Sequence, residues 1–171
     1  IQSYAKYWMH NGFVTFEEKK MSKSLGNIIL LKDYLKIYNG EIIRLALLSS
    51  HYRSPLIWSE NLIIQSKKIL DKFYKILKQL KDVEIEDQNK KLPDEVEQYF
   101  FDDLNISKVF AYLNTITKNK DNYLTNKNKK KIKINLINVG SILGILKQHP
   151  DKWFEKGKNY SDKEMQVIKD L

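Results

Sequence analysis

The chain has 171 residues, 42% of them apolar and 12% aromatic, with six glycines, three prolines and no cysteine; that suffices for one ordinary domain or two small ones and excludes a low-complexity chain. Without cysteine there is no disulfide framework and no thiolate metal site, His10, His51 and His149 are too scattered for a zinc motif, and no apolar run approaches the roughly 20 residues that span a bilayer. The formal net charge of +9 points to a polyanionic partner, although Lys, Asn and Ile together make up 62 residues, a bias that A/T-rich codon usage alone would produce.

The N-terminal "IQSYAKYWMH" has neither a long apolar core nor an initiator methionine, so no signal peptide is expected and the chain reads as a piece of something longer. Gly12 to Phe16, β-branched and aromatic, reads as a short strand, and "NIILL" at 27–31 as a second extended piece. Between them "KKMSKSLGN", residues 19–27, holds three lysines and two serines without amphipathic period, which predicts a loop presented at a sheet edge. "KDYLKIY" is a short helix punctuated by Asn39 and Gly40, and "EIIRLALLSS" is a helix with Ile42, Ile43, Ala46 and Leu47 on one stripe. Pro55 breaks it. Ser59 then caps a long helix reaching about Lys81, with Leu62, Ile63, Ile69, Phe73, Ile76, Leu77 and Leu80 inward and Lys67, Lys68, Lys72, Lys75 and Lys78 on the wet side.

Residues 82–94, polar and carrying Pro93, read as a linker. Beyond it lie helices at about 94–102, at 106–119 with Val109, Phe110, Leu113 and Ile116 inward, and at 131–147 with Ile134, Ile137, Ile142, Leu143 and Leu146 inward. The stretch before 131 reads as a solvated loop, and no internal repeat is evident. Charge follows this organisation: residues 1–81 carry a net +8, 82–105 a net −7 and 106–171 a net +8. Two basic bodies flank an acidic connector. Lysine spread this widely, with Arg44 and Arg53 the only arginines, suits phosphate-backbone contact better than reading of base edges.

In the loop itself, Lys20 and Lys23 with short hydroxyl residues around them could aim two ammonium charges and several backbone N–H groups at one polyphosphate. A lysine-rich surface turn with no role is the alternative. The glycine spacing of a Walker A loop is absent.

The pentad Lys20-Met21-Ser22-Lys23-Ser24 resembles the second signature of class I aminoacyl-tRNA synthetases. Together, "YWMHNGFV", "KMSKSLGN" and "HYRSPLIWSE" resemble the cysteinyl-tRNA synthetase family, and the likeness continues, more weakly, through "FDDLNISKVFAYL" and "LGILKQHPDKWF". Asn105-Ile106-Ser107 stands where that family usually has Asn-Thr-Pro, which weakens the helix start expected there. The resemblance implies a mainly α fold: residues 1–31 as the end of a Rossmann-type catalytic domain, 32–81 as a helical stem-contact region, 82–94 as the linker, and 95–171 as a helical tRNA-binding bundle truncated at its C-terminus.

It further implies ATP-dependent activation of cysteine to an adenylate and transfer to tRNA(Cys), in the cytoplasm and by a monomer, with ATP and Mg2+ as cofactors. Zn2+ is expected in the full-length enzyme, its ligands lying outside this sequence together with the His-Ile-Gly-His-type signature, so these residues alone are expected to be inactive. Lys23 and Lys20 are the implied catalytic residues. The implied ATP-binding set is Gly12, Val14, Lys20, Met21, Ser22, Lys23 and Ser24. Gly12 and Val14 fit an adenine ledge or ordinary strand geometry; Met21 is read as a plug for the loop, and Ser22 and Ser24 as its orienters. Trp8 and His10 either line the amino-acid side of the pocket or pack under the sheet. His51 and Arg53 are placed to meet the tRNA inner face, with a tie from Arg53 to helix carbonyls as the alternative. Two other functions fit the same residues: a ligase joining cysteine to an amino-sugar, and a non-catalytic RNA-binding module derived from the synthetase.

Overall fold

The computed structural model describes residues 4–16, 19–20, 30–85, 91–119 and 123–156. Strands β1 (Val14–Phe16), β2 (Lys19–Lys20) and β3 (Leu56–Trp58) form a sheet in the order β2-β1-β3, β1 running antiparallel to β2 and parallel to β3. A parallel pair needs a crossover, and helices α1 (Leu31–Ile37) and α2 (Gly40–Leu48) lie in that connection. β3 has no counterpart in the sequence reading, because three residues after a proline are too few to show a period of two; pairing with β1 makes the strand. Of the extended piece expected at 27–31, residues 27–29 lie outside the described residues, Leu30 is extended, and Leu31 already begins α1.

The helices start where short polar side chains satisfy their first amides. Asn39 Oδ1 accepts from Glu41 N at 3.0 Å to open α2, and Ser59 Oγ accepts from Leu62 N at 3.2 Å to open α3 (Glu60–Gln79). Tyr34 of α1 meets Trp58 of β3 edge-on at 5.3 Å between ring centres, which seats this helix on the sheet. In α2 the buried apolar residues are Ile42, Ile43, Leu45 and Ala46, whereas Leu47, expected inward, is 45% exposed. The stripe follows Ile42 by three and four residues, which selects Leu45 and Ala46 and turns Leu47 outward. The same offset corrects α3: Leu70, seven residues after Ile63, is fully buried, and Ile69 lies outside the stripe.

Beyond the connector come α4 (Asp94–Phe101), α5 (Ile106–Lys118), α6 (Asn126–Leu143) and α7 (Pro150–Lys156). Asn105 opens α5 without the Thr-Pro pair, its Oδ1 accepting from Lys108 N at 3.3 Å. Helix α6 begins five residues earlier than the expected 131, because Thr125 Oγ1 accepts from Asn128 N at 3.2 Å, and it stops at Gly144, whose φ of 71° is left-handed. Its buried apolar residues are Ile132, Leu136, Val139 and Leu143; Ile134 and Ile137 are half-buried and Ile142 is exposed. Apolar residues occur nearly all round this helix, so period alone could not choose the face. Leu146 is buried but lies past the helix end, and α7, with Pro150 in its first turn, was not expected at all. One buried cluster runs from Tyr34 through α2, α3, α5 and α6 to Trp153, with α3 packed against α2, α6 and α7. The protein is mainly helical, with the sheet at its N-terminal end.

Candidate functional site

The lysine loop leaves the sheet from its edge. β2 pairs only with β1 among the described strands, placing Lys20 opposite Thr15 and Lys19 opposite Phe16, and the next described residue is Leu30, immediately before α1. Met21, Ser22, Lys23 and Ser24 lie outside the described residues. The polypeptide therefore departs from an edge strand and is next described at the start of a helix, and the parallel pair of the sheet, β1 and β3, lies beside that edge.

Gly12 is fixed by backbone. Its N–H donates to Tyr52 O at 2.7 Å, and a Cβ placed on it would come within 2.1 Å of Ser54 O. Only a residue without a side chain lets β1 lie this close to the 50–55 loop. Two positions on, Val14 pairs with Leu56 and is 42% exposed. Trp8 and His10 do not pack under the sheet: Trp8 is 68% exposed with its ring 6.3 Å from that of Tyr4, and His10 is exposed.

The segment "HYR" is tied to a carboxylate fifty residues away. Arg53 donates from Nε to Asp103 Oδ2 at 2.8 Å and from Nη2 to Oδ1 at 3.2 Å, Tyr52 donates its hydroxyl to Oδ1, and His51 Nε2 lies 2.8 Å from the Asp103 carbonyl oxygen. The guanidinium, and next the Tyr52 hydroxyl, hold the Asp103 carboxyl below the usual carboxylate range, while the same bond to Asp103 pushes the Tyr52 phenol up. Arg53 therefore ties to a side-chain carboxylate, not to helix carbonyls. Asp103 and Leu104 hold φ of 51° and 56°, left-handed values that L-residues avoid, so the turn between α4 and α5 is bent to bring Asp103 to this contact. Asp103 stands in "FDDLNISKVFAYL", a stretch that resembles the family, but an acidic residue in a turn carries no signal of a partner so remote.

A second tie missing from the sequence reading centres on Glu41, a buried residue in the first turn of α2. Its Oε2 accepts from Tyr74 at 2.8 Å and from Leu146 N at 2.7 Å, and its Oε1 accepts from Lys147 N at 3.1 Å. The Tyr74 hydroxyl in turn accepts from Gln148 N at 3.1 Å, and the Tyr74 ring stacks on Trp153 at 4.3 Å.

Several lysines expected on the wet face of α3 have partners: Lys67 with Asp71 at 2.6 Å, Lys72 with Asn114 at 2.7 Å and Lys78 with Asp151 at 2.8 Å. Burial, and then the charge of Lys118, pushes the Lys72 ammonium below its ordinary value. Lys68 and Lys75 are exposed.

These elements have known counterparts. Residues 1–68, which include the whole sheet and its crossover, match the family described as tRNA synthetases class I (C) catalytic domain. Similarity to curated proteins runs past that match: the chain is 42% identical over 150 residues to the cysteine–tRNA ligase of Parvibaculum lavamentivorans, covering 88% of this chain and 32% of that protein. It is 42% identical over 175 residues to the cysteine–tRNA ligase of a Nitratiruptor species, covering 99% and 37%, and 42% identical over 168 residues to that of Aliarcobacter butzleri, covering 95% and 36%. The chain belongs to the class I cysteinyl-tRNA synthetases. It spans about a third of the length of these relatives. No helix among the described residues is long and apolar enough to cross a membrane. Among the described residues no three His, Asp or Glu side chains come together as a metal-holding group.

Proposed function

We propose that this chain forms part of an enzyme that activates cysteine with ATP and transfers it to tRNA(Cys). In the first step the cysteine carboxylate attacks the α-phosphate, forming cysteinyl-adenylate and releasing pyrophosphate; in the second the terminal ribose hydroxyl of the tRNA takes the cysteinyl group and AMP leaves. The observation that carries this reading is the pentad that starts at Lys20, where β2 leaves the sheet edge. Lys23 stabilises charge gathering on the phosphate oxygens, Lys20 supports the loop or the outer phosphates, and Ser22, Ser24 and Met21 shape the loop. Gly12 and Val14 form the ledge for adenine. Mg2+ accompanies ATP, and the chain has no cysteine with which to build the expected Zn2+ site. Residues 32–81 and 95–171 make the tRNA-facing body, joined through 82–94.

Prepositioned cations that bear more on the transition state than on bound ATP lower the barrier to adenylate formation, one such group being worth roughly 3–4 kcal/mol. In the full-length enzyme Lys23→Ala lowers cysteine-dependent exchange of pyrophosphate into ATP by roughly 10²-fold or more, with a smaller effect on ATP binding, and Lys20→Ala costs less. An unchanged exchange rate in Lys23→Ala removes the loop from the mechanism.

A further inference from the structure

A groove of about 450 Å³ opens where the end of α3, the middle of α6 and the segment 146–151 meet. Its floor is apolar, made by Leu77, Ile137 and Leu146, and its rim is cationic. The cations differ in what already occupies them. Lys133 Nζ is pinned by Lys81 O at 3.1 Å and Val83 O at 2.8 Å, two backbone carbonyls of the turn that follows α3, so its position is set while its charge is not neutralised. Lys78 is paired with Asp151, the sole carboxylate among the described lining residues, and His149 Nδ1 lies 3.6 Å from the same carboxylate. Lys81 and Lys147 are exposed and have no ion-pair partner among the described residues. Among the described lining residues four lysines thus face one aspartate around an apolar floor.

That combination selects its occupant by chemistry. An inorganic anion makes no use of an apolar floor, and a neutral apolar molecule makes no use of the lysines. An unstacked nucleotide uses both, its base on Leu77, Ile137 and Leu146 and its phosphates toward Lys81 and Lys147. The positive surface also continues away from the groove, through Lys129 and Lys130 one turn before Lys133 on α6 and through Lys75 one turn before Lys78 on α3. A single free nucleotide would not reach that extension; a strand would. We propose that this groove binds a nucleotide of an RNA strand, flipped out of its stack, and that Lys81 and Lys147 hold the flanking phosphates. This rests on the reading that RNA is the partner of the helical body, and gives that body a defined site.

The test uses the full-length enzyme with a tRNA(Cys) transcript, measuring Kd by filter binding between about 50 and 200 mM salt. The double variant Lys81→Ala/Lys147→Ala is expected to weaken binding roughly tenfold and to lower the slope of log K against log salt by about 1.4–1.8, two contacts at ~0.7–0.9 each. Lys91→Ala, an exposed lysine outside the groove, should leave Kd within about twofold. Ile137→Glu, which places a carboxylate at the half-buried edge of the floor, should weaken binding while circular dichroism confirms the helical fold; if that variant unfolds, the double lysine variant decides alone. In competition against the transcript, a single-stranded RNA oligonucleotide should displace it better than a duplex of equal length, and AMP or an acidic peptide should fail. Unchanged Kd and slope in the double variant overturn the site while leaving RNA as the partner. A wild-type enzyme that does not bind the transcript overturns the underlying reading instead. Displacement by AMP at the strength of the oligonucleotide reassigns the groove to free nucleotides, and displacement by the acidic peptide reassigns it to protein; either overturns the proposal.

Discussion

Glu41 shows how one side chain can join elements far apart in sequence. A buried carboxylate with nothing to accept from is costly, and here two backbone amides from 146–147 and the Tyr74 hydroxyl all donate to it. Burial is the first reason the Tyr74 phenol is pushed up, and its bond to Glu41 adds to that. Glu41→Ala leaves those three donors without their acceptor, two of them fixed in backbone, and should lower stability by about 3 kcal/mol or more. Glu41→Gln keeps one carbonyl acceptor and should cost less. Urea unfolding followed by circular dichroism measures both; a loss below about 1 kcal/mol in Glu41→Ala would mean that water replaces the carboxylate. Gly144 is a second residue of this kind, since its left-handed φ of 71° also leaves room for the Arg44 side chain, 3.0 Å from where a Cβ would be.

At the scale of elements, three contacts depend on carboxylates near the surface. Asp103 ties the α4–α5 turn to "HYR", Asp102 accepts from Lys108 at 2.9 Å and from Asn105 at 3.1 Å, and Asp151 ties the start of α7 to Lys78 of α3. All three carboxyls are held below their ordinary value, in each case first by a hydrogen bond from the basic partner. A depressed folded-state value means that the unfolded chain binds protons more readily, so the contribution is present above the unfolded value of about 3.9 and is lost as pH falls through the lower folded values. Stability should therefore decline below about pH 4, and more steeply in wild type than in Asp103→Asn, which has lost the titrating partner of Arg53. Thermal melts from pH 6 to pH 2.5 test this; parallel pH profiles for the two proteins would rule it out.

Across the whole molecule, a contiguous set of contacts leads from the helical body to the edge strand. Asp103 holds His51, Tyr52 and Arg53, the Tyr52 and Ser54 carbonyls lie against Gly12, β1 continues from Gly12, and β2 pairs with β1 at Lys20. Gly12 can be tested for both of its readings at once. Because a Cβ there would fall 2.1 Å from a backbone oxygen, Gly12→Ala should destabilise the protein by about 1–3 kcal/mol without ATP present, as overpacking does. If the position serves only the approach of adenine, the melting temperature stays put and the KM for ATP rises. Both effects together are expected if the backbone packing also shapes the ledge.

Sequence alone determined whatever depends on short-range chemistry. Ser59 announces α3 because a hydroxyl before an amphipathic run satisfies the first free amides, and the bounds of α4 and α5 follow the 3.6-residue period within a residue or two. The pentad and "HYRSPL" marked the family because they are contiguous strings, legible without a fold. Tertiary structure alone decided β3, whose three residues become a strand only by pairing with β1; the choice of Leu70 over Ile69 and of Ile132 over Ile142, which depends on where the neighbouring helices lie; and the partners of Asp103 and Glu41, separated from them by 50 and by more than 100 residues. A carboxylate has the same local pattern whether it faces solvent or collects three donors. Only the folded arrangement of the chain determines which donors reach it.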